Sequence, residues 1–189
     1  MTREEQANEA YHFLKFTIRE HATLMYAPAC ERALEMIYQT KAPAARSHHH
    51  NYEYGLLLHV AEVYQYMVHL DSATLMSQSR FSQQVWRSVN HGTLLVLALF
   101  HDLAKVKEYQ TVNGEIIVTP YYSNIGHIVG SLQMLQEFLL GVPVPEDIAH
   151  AMLAHHGRKE WGSPVEPQTQ LAWTLHLADM MSSKAGPAK

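Results

Sequence analysis

The dipeptide His101-Asp102 interrupts an apolar segment that reads Leu-Phe-His-Asp-Leu-Ala-Lys. In a helix, Leu97, His101 and Lys105 would lie on one face, and the leucines of the segment direct that face toward the interior. Burying an imidazole, a carboxylate and an ammonium group is costly unless they neutralise one another or a bound cation compensates them. The segment therefore predicts a buried polar site.

Four other predicted helices show the same interruption of an apolar stripe by an imidazole or a carboxylate. One buried histidine is commonly a core residue with its hydrogen bonds satisfied, but five helices that each direct such a group inward indicate bound cations. Four imidazoles and two carboxylates exceed the ligands of one transition-metal ion and suit two adjacent ions that share Asp102. The predicted metal ligands are His59, His101, Asp102, His127, His155 and Asp179.

The types of these ligands restrict the metal. A mixed set of nitrogen and oxygen donors favours iron or manganese, with zinc also compatible, over calcium or magnesium. The set contains no cysteine, which argues against a structural zinc cluster. The pair of Glu-x-x-His motifs of helix-bundle di-iron proteins is missing. We therefore predict two divalent transition metals as cofactors.

The order of these residues resembles the HD superfamily of metal-dependent phosphohydrolases in its two-metal form. The resemblance implies that His59, His101, Asp102 and Asp179 hold one metal, and that Asp102, His127 and His155 hold the second. It leaves His156 to complete the second site or to face substrate.

A closer resemblance covers about residues 48–183 and is to the HD domain of bacterial 3′-to-5′ exoribonucleases. Those enzymes resemble an OB-fold joined to an HD domain, and no OB-fold module precedes the motifs here, so we do not expect processive RNA degradation. The motifs are His49-His50-Asn51-Tyr52, Gly55-Leu56, His59, His-Asp-Leu-Ala-Lys-Val at 101–106, Gly126-His127-Ile128, His155-His156-Gly157, and Trp161-Gly162-Ser163-Pro164-Val165 with Pro167.

The implied reaction is hydrolysis of a phosphoester by a metal-activated hydroxide. Asp102 would bridge the metals, and Lys105, one turn beyond His101, would neutralise charge on the phosphate, which makes these two the predicted catalytic residues. The predicted substrate-binding residues are His156, Arg158, Lys159 and Trp161. For Arg158 and Lys159 the alternative is a pair of solvated charges after a helix end, and for Trp161 a ring that caps the core.

The elements that must position these residues are mainly helical. Apolar residues at helical spacing predict two N-terminal helices within residues 3–40, broken near Pro28, and helices over about 52–70, 93–105, 125–140, 145–156 and 168–184, with a polar connection over 71–82. Alternation around Asn113-Gly114 predicts a hairpin near residues 107–119. The predicted fold is an all-α HD-domain helical bundle with one small β-hairpin. Residues 1–47 would be N-terminal helices that pack on the core, and 48–184 the HD phosphohydrolase domain, together one compact unit.

The composition of the chain restricts the kinds of ligand and partner that the protein could bind. Fourteen Lys and Arg against eighteen Asp and Glu give a net charge of −4, so there is no global positive field for a long polyanion. We expect a phosphorylated small molecule or nucleotide, or a short single-stranded nucleic acid, as the ligand. The single cysteine, Cys30, fits a reducing compartment, and the longest apolar run, 94–100, is too short to cross a bilayer. We therefore expect a cytoplasmic protein without a membrane partner, and the N-terminal helices leave a homodimer open.

Three functions remain open from the sequence. The first is a metal-dependent phosphohydrolase that cleaves a phosphoester of a nucleotide or of a short single-stranded nucleic acid end. The second is a di-iron oxygenase of the HD fold, whose turnover would require oxygen. The third is a non-catalytic binding module whose fold the metals stabilise. Such a module would be inert on phosphoesters, and its melting temperature would fall strongly after chelation. The run His48-His49-His50 could bind metal or phosphate, or form a polar loop.

Overall fold

The computed structural model of the protein describes residues 1–47, 49–76, 86–112 and 114–184. The buried segment 94–100 lies at the centre of its fold. The described part is helical apart from loops and one antiparallel hairpin, which confirms the predicted class. Its elements are α1 (Arg3–His21), α2 (Ala27–Thr40), α3 (Gly55–Met76), α4 (His91–Phe100), α5 (Lys105–Glu108), β1 (Tyr109–Val112), β2 (Glu115–Val118), α6 (Pro120–Asn124), α7 (His127–Phe138), α8 (Glu146–Ala154), a 3₁₀ turn (Lys159–Trp161) and α9 (Gln170–Lys184).

Helix α4 is apolar on all sides because its neighbours surround it. Every residue from Leu94 to Phe100 has no exposed surface. Helices α1, α2, α3, α7, α8 and α9 all pack against it. An all-round apolar helix is stable only in such a buried position. The polar residues that follow Phe100 therefore lie in the interior of the molecule.

The N-terminal helices form one wall of this core. Helix α1 begins with a capping box in which Thr2 and Glu5 satisfy each other's backbone amides, and it packs on α2, α3 and α4. The predicted break falls at residues 22–26, just before Pro28, which lies in the first turn of α2 where a missing N–H is tolerated.

Helix α3 differs at both ends from the predicted helix over 52–70. It begins at Gly55, which lies so near the carbonyl of His50 that a β-carbon there would clash. It also continues through residues 71–76, which were predicted as polar connection. Asp71 is tolerated in the buried helix because its carboxylate accepts hydrogen bonds from the Val89 amide (3.1 Å) and the Ser88 hydroxyl (3.2 Å). The rest of that connection, 77–82, lies outside the described residues.

The predicted helix over 93–105 was wrong in its second half. Helix α4 ends at Phe100, and tight turns follow in which the Leu103 amide donates to the Phe100 carbonyl (3.3 Å) and the Lys105 amide to the Asp102 carbonyl (2.9 Å). The chain then enters α5 and the hairpin, where Tyr109 pairs with Val118 and Val112 with Glu115. Gly114 has a positive φ of 82°, as the turn requires, while Asn113 lies outside the described residues.

Helices α7, α8 and α9 complete the bundle. They lie within two residues of the predicted bounds at each end. Helix α9 packs along α3 and α8 and carries the last predicted ligand. None of the described helices is long and apolar enough to span a membrane.

Candidate metal centre

All six predicted ligands meet at one place, although five separate parts of the chain supply them. His59 comes from α3, Asp179 from α9, and His101 with Asp102 from the turn after α4. His127 is the first residue of α7, and His155 directly follows α8. His59, His101, Asp102 and His155 are at most 1% exposed. The structure therefore brings together all six residues that were predicted as metal ligands.

Asp102 stands between two groups of imidazoles. Its Oδ2 atom lies 3.4 Å from Nε2 of His59 and 3.5 Å from Nε2 of His101. Its Oδ1 atom lies 3.4 Å from Nε2 of His127 and 3.6 Å from Nε2 of His155. Each carboxylate oxygen thus faces its own pair of ring nitrogens, which is the arrangement of a carboxylate shared by two cations.

Two of the imidazoles are oriented by their own helices. Nδ1 of His101 lies 3.0 Å from the Ala98 carbonyl, and Nδ1 of His155 lies 2.6 Å from the Met152 carbonyl. A carbonyl only accepts, so each Nδ1 carries the proton and donates it. The lone pair of each Nε2 is then directed at Asp102 and its surroundings, as in metal-binding histidines generally.

His59 is oriented by a short chain of polar side chains. Its Nδ1 lies 2.8 Å from the hydroxyl of Ser182, which donates to Oε2 of Glu62 at 2.7 Å. The other carboxylate oxygen of Glu62 lies 3.3 Å from Nε2 of His50. On its opposite side, Nε2 of His59 lies 3.2 Å from Oδ1 of Asp179.

Ring nitrogens face one another at two points of the site. Nε2 of His59 lies 3.2 Å from Nε2 of His101, and Nε2 of His127 lies 3.2 Å from Nε2 of His156. His156 uses its Nδ1 to donate to the Trp161 carbonyl at 2.9 Å, so its Nε2 has a free lone pair. The structure therefore places His156, predicted to bind substrate, beside the second group of ligands.

Burial determines the charge of most of these rings. It lowers the pKa of His101 and His127 to about 3 and that of His156 to about 4, so they are neutral at neutral pH. Burial also opposes charge on His59, but the carboxylates of Asp102 and Asp179 raise its pKa to about 9. A proton on His59 and a cation in the same place would satisfy the same two carboxylates.

The carboxyl of Asp102 is also ionised. Burial alone would raise its pKa, but the ammonium of Lys105, 2.6 Å from Oδ2, and the neighbouring histidines hold it well below the usual range. Oδ1 of Asp102 and Nε2 of His155 are buried without a hydrogen-bond partner. The neutral rings of His127 and His156, which face one another, and the orphaned oxygen of Asp102 beside them fit a bound divalent cation, as do the two carboxylates at His59. The ligands that could hold such cations fall into two groups around Asp102: His59, His101, Asp102 and Asp179, and His127, His155 and His156. A third group, His49, His50 and His59, shares His59 with the first and includes two residues of the histidine run for which metal binding was one prediction. His48 lies outside the described residues.

A pocket of about 400 Å³ opens beside this centre. Four of the predicted functional residues line it: Lys105, His156, Trp161 and the predicted metal ligand Asp179. Trp161 is half exposed and does not cap the core. Arg158 and Lys159 are not among the lining residues, although the guanidinium of Arg158 lies 5.0 Å from the centre of the Trp161 ring. The lining also includes His49, from the run that the sequence analysis left able to bind metal or phosphate. The remaining lining residues, Met180, Ser183 and Lys184, were not predicted.

The sequence analysis also missed two carboxylates around the ligands, Glu62 and Glu108. Glu62 follows His59 by three residues in α3 and so lies on the same helical face, a spacing that could have identified it. Glu108 ends α5 and is fully buried, with Oε1 3.3 Å from Nδ1 of His127. Burial raises its pKa to about 7.

Comparison with known proteins gives matches of two kinds. The HD domain family profile matches residues 56–183. The chain is also similar to proteins named 3′-5′ exoribonuclease YhaM, with 28% identity over 151 residues for that of Oceanobacillus iheyensis and 30% over 149 residues for that of Listeria monocytogenes. The YhaM of Bacillus pumilus is 30% identical over 150 residues. Each alignment covers 75% of this chain and 42% of the relative, so the chain spans less than half of their length. No solved structure gives a significant match.

Proposed function

Because the chain belongs to the HD domain family, we propose that it is a metal-dependent phosphohydrolase that cleaves a phosphoester of a nucleotide or of a short single-stranded nucleic acid end. The observation that carries the proposal is the position of Asp102, whose two carboxylate oxygens face separate pairs of imidazoles. The family match includes all six residues of this arrangement and supports the predicted class of enzyme.

The two groups of ligands are suited to two divalent metals. His59, His101, Asp102 and Asp179 would hold the first, and Asp102, His127, His155 and His156 the second. The donors are imidazole and carboxylate, which suit iron or manganese, with zinc also compatible. Such a pair of cations supplies a hydroxide near neutral pH and binds phosphoryl oxygens.

Lys105 is the residue of this chain best placed to act on the phosphoryl group. Its side chain is 9% exposed, and its ammonium both contacts Asp102 and lines the pocket. Fixed positive charge at the place where negative charge develops lowers the barrier of phosphoryl transfer. We assign Lys105 to the non-bridging oxygens of the substrate phosphate and Asp102 to the metals.

The pocket supports a substrate of about one nucleotide. Its volume of about 400 Å³ lies in the range of small-molecule sites. The half-exposed ring of Trp161 forms one wall, where a base would stack, and Lys184 adds a second cation. Arg158, which lies over the Trp161 ring, would brace that ring, and we assign Lys159 no contact with substrate. The names of the relatives favour the 3′ end of an RNA, and the net charge of −4 argues against a long bound strand.

The first test is metal content by elemental analysis of anaerobically purified protein, together with hydrolysis of bis-p-nitrophenyl phosphate after addition of Mn²⁺ or Fe²⁺. We expect close to two metals per chain and release of nitrophenol that a chelator stops. Asp102→Ala should lose both metals and the activity, since both groups lose their shared ligand. Two metals without hydrolysis would favour the oxygenase or the binding module, which a strict requirement for oxygen would separate. No bound metal under any loading condition would refute the proposal.

The second test concerns the base. Trp161→Leu should raise KM for thymidine 5′-p-nitrophenyl phosphate by roughly 10-fold, because stacking of one base contributes about 1–3 kcal/mol. It should leave hydrolysis of methyl p-nitrophenyl phosphate, which has no base, unchanged. Trp173→Leu is the matched control, since Trp173 is similarly exposed, at 45%, but does not line the pocket. Equal effects of Trp161→Leu on both esters would contradict a base-stacking role.

A further inference from the structure

The ring of His127, unlike those of His101 and His155, has no hydrogen-bond acceptor in its own helix for its Nδ1–H. Those two rings donate Nδ1–H to carbonyls three residues earlier in their own helices, at Ala98 and Met152. His127 is the first residue of α7, so no helical turn precedes it and no such carbonyl is in reach. Its Nδ1 needs an acceptor from another element.

Glu108 is in the position of that acceptor. Its Oε1 lies 3.3 Å from Nδ1 of His127, and the side chain comes from the end of α5, just before the hairpin. Both carboxylate oxygens are buried without an aligned hydrogen bond. A carboxylate buried in this way is costly unless positive charge is nearby. A cation on the far side of the His127 ring would provide that charge and strengthen Nδ1–H as a donor.

The two groups of ligands also differ in charge. The first contains two carboxylates, Asp102 and Asp179, whereas the second contains three imidazoles and only the shared oxygen of Asp102. Lys105 further reduces the negative charge that Asp102 can offer, since its ammonium lies 2.6 Å from Oδ2. Glu108 is a fully buried carboxylate against a ligand of the second group.

We infer that Glu108 is a positioning residue for the second metal: it accepts the Nδ1–H of His127, fixes Nε2 toward the metal, and supplies the negative charge that the second group of ligands lacks. The inference rests on the two-metal site of the proposed function. Glu62 plays the corresponding part for His59 at the first site, but more weakly, because the hydroxyl of Ser182 stands between them and the Glu62 side chain is 43% exposed.

The test is binding of Mn²⁺ to metal-free protein, measured by equilibrium dialysis with elemental analysis and by electron paramagnetic resonance. Wild type should bind two ions whose signals are coupled. Glu108→Gln keeps the size of the side chain and removes its charge. It should bind the first ion as wild type does and the second about 10- to 100-fold more weakly, the usual effect of losing an outer partner of a metal ligand. At one ion per chain it should give an uncoupled signal.

The control variant is Glu115→Gln, which removes an exposed carboxylate from the neighbouring strand β2 and should bind both ions normally. Metal-free Glu108→Gln should melt at or above the wild-type temperature, because an unpaired buried charge has been removed. Normal binding of both ions, equal weakening of both, or a lower melting temperature of the metal-free variant would each overturn the inference. Failure of the wild type to bind Mn²⁺ would instead refute the proposed function.

Discussion

At the scale of single residues, the carboxylate of Asp102 contacts an unusually large number of nitrogen atoms. Four ring nitrogens lie within 3.6 Å of its two oxygens, and the Lys105 ammonium contacts one of those oxygens at 2.6 Å. In the metal-free protein Lys105 provides the charge that makes the buried carboxylate tolerable. In the proposed function, bound metals would take over that compensation, and the ammonium would be available to a substrate phosphate on the pocket side.

Replacement of Lys105 should therefore separate metal binding from turnover. We expect Lys105→Ala to retain both metals, because it removes a cation that competes for Asp102, and to lower kcat by roughly 100-fold, as loss of a charge-stabilising donor does. The measurements are metal content and kcat with bis-p-nitrophenyl phosphate. Lys107→Ala, which removes an exposed ammonium from the same short helix, should behave as wild type. A Lys105→Ala enzyme with normal kcat would show that its contact with phosphate is misassigned.

The six predicted ligands are conspicuous in the sequence for a simple physical reason. Each of the six interrupts an apolar stripe, and burial of such a group demands compensation. The residues that support them gave no comparable signal. Ser182 is buried but is a small polar residue of a type common in helices, and Glu62 could have been found only by its three-residue spacing from His59. Glu108 lies where the helical period gives way to a hairpin. Arg158 and Lys159 were predicted from proximity in sequence alone, which does not determine the direction of a side chain after a helix end.

At the scale of elements, the predicted existence and order of the helices were confirmed, and the turn after α4 was not foreseen. Helical periodicity continues through His101 and Lys105, so the pattern could not reveal that the helix ends at Phe100. Within this turn, Asp102 and Lys105 meet in a contact of 2.6 Å, and His101 bonds to the Ala98 carbonyl of the preceding helix.

The end of α8 shows a similar dependence on local geometry. Gly157 has a φ of 86°, and a β-carbon there would collide with the ring of His176. That ring donates from Nδ1 to the carbonyl of His155 at 2.7 Å and so supports the segment that carries two ligands.

Gly157→Ala should therefore reduce both stability and metal binding. We expect a loss of roughly 1–3 kcal/mol in the free energy of unfolding from the left-handed backbone alone, measured by urea denaturation of metal-free protein. Displacement of His176 should in addition weaken the second metal. Gly141→Ala is a matched control, because Gly141 also has a positive φ, 91°, but has open space around it and is remote in sequence from the ligands. Equal metal affinity in the two variants would contradict the role given to His176.

At the scale of the whole molecule, the candidate metal centre lies where five parts of the chain converge. Its ligands come from α3, α7 and α9 and from the turns after α4 and α8. Bound metals would therefore hold all of these elements together in the folded state and would be released on unfolding.

Metal removal should lower the melting temperature. A ligand present at 100 times its Kd stabilises by about 2.7 kcal/mol per site, and each kcal/mol corresponds to about 2–4 °C in a chain of this size. Two sites should thus shift Tm by roughly 10 °C or more between Mn²⁺-loaded and chelated protein, as measured by calorimetry. Asp102→Ala should show no such shift. A wild-type Tm that is indifferent to chelation would mean that the metals do not bridge these elements.

The side chains of His59 and Ser182 touch although 123 residues separate them along the chain. Helix α9 is the last described element to be synthesised, and the first group of ligands is incomplete until it has left the ribosome. Insertion of a metal into this first group would therefore have to follow the emergence of α9. A nascent chain stalled before α9 would expose the apolar faces of α3 and α8 that α9 covers, the kind of surface that chaperones and quality-control proteases recognise. The supply of the metal would then influence how much of the protein accumulates, separately from any effect on catalysis.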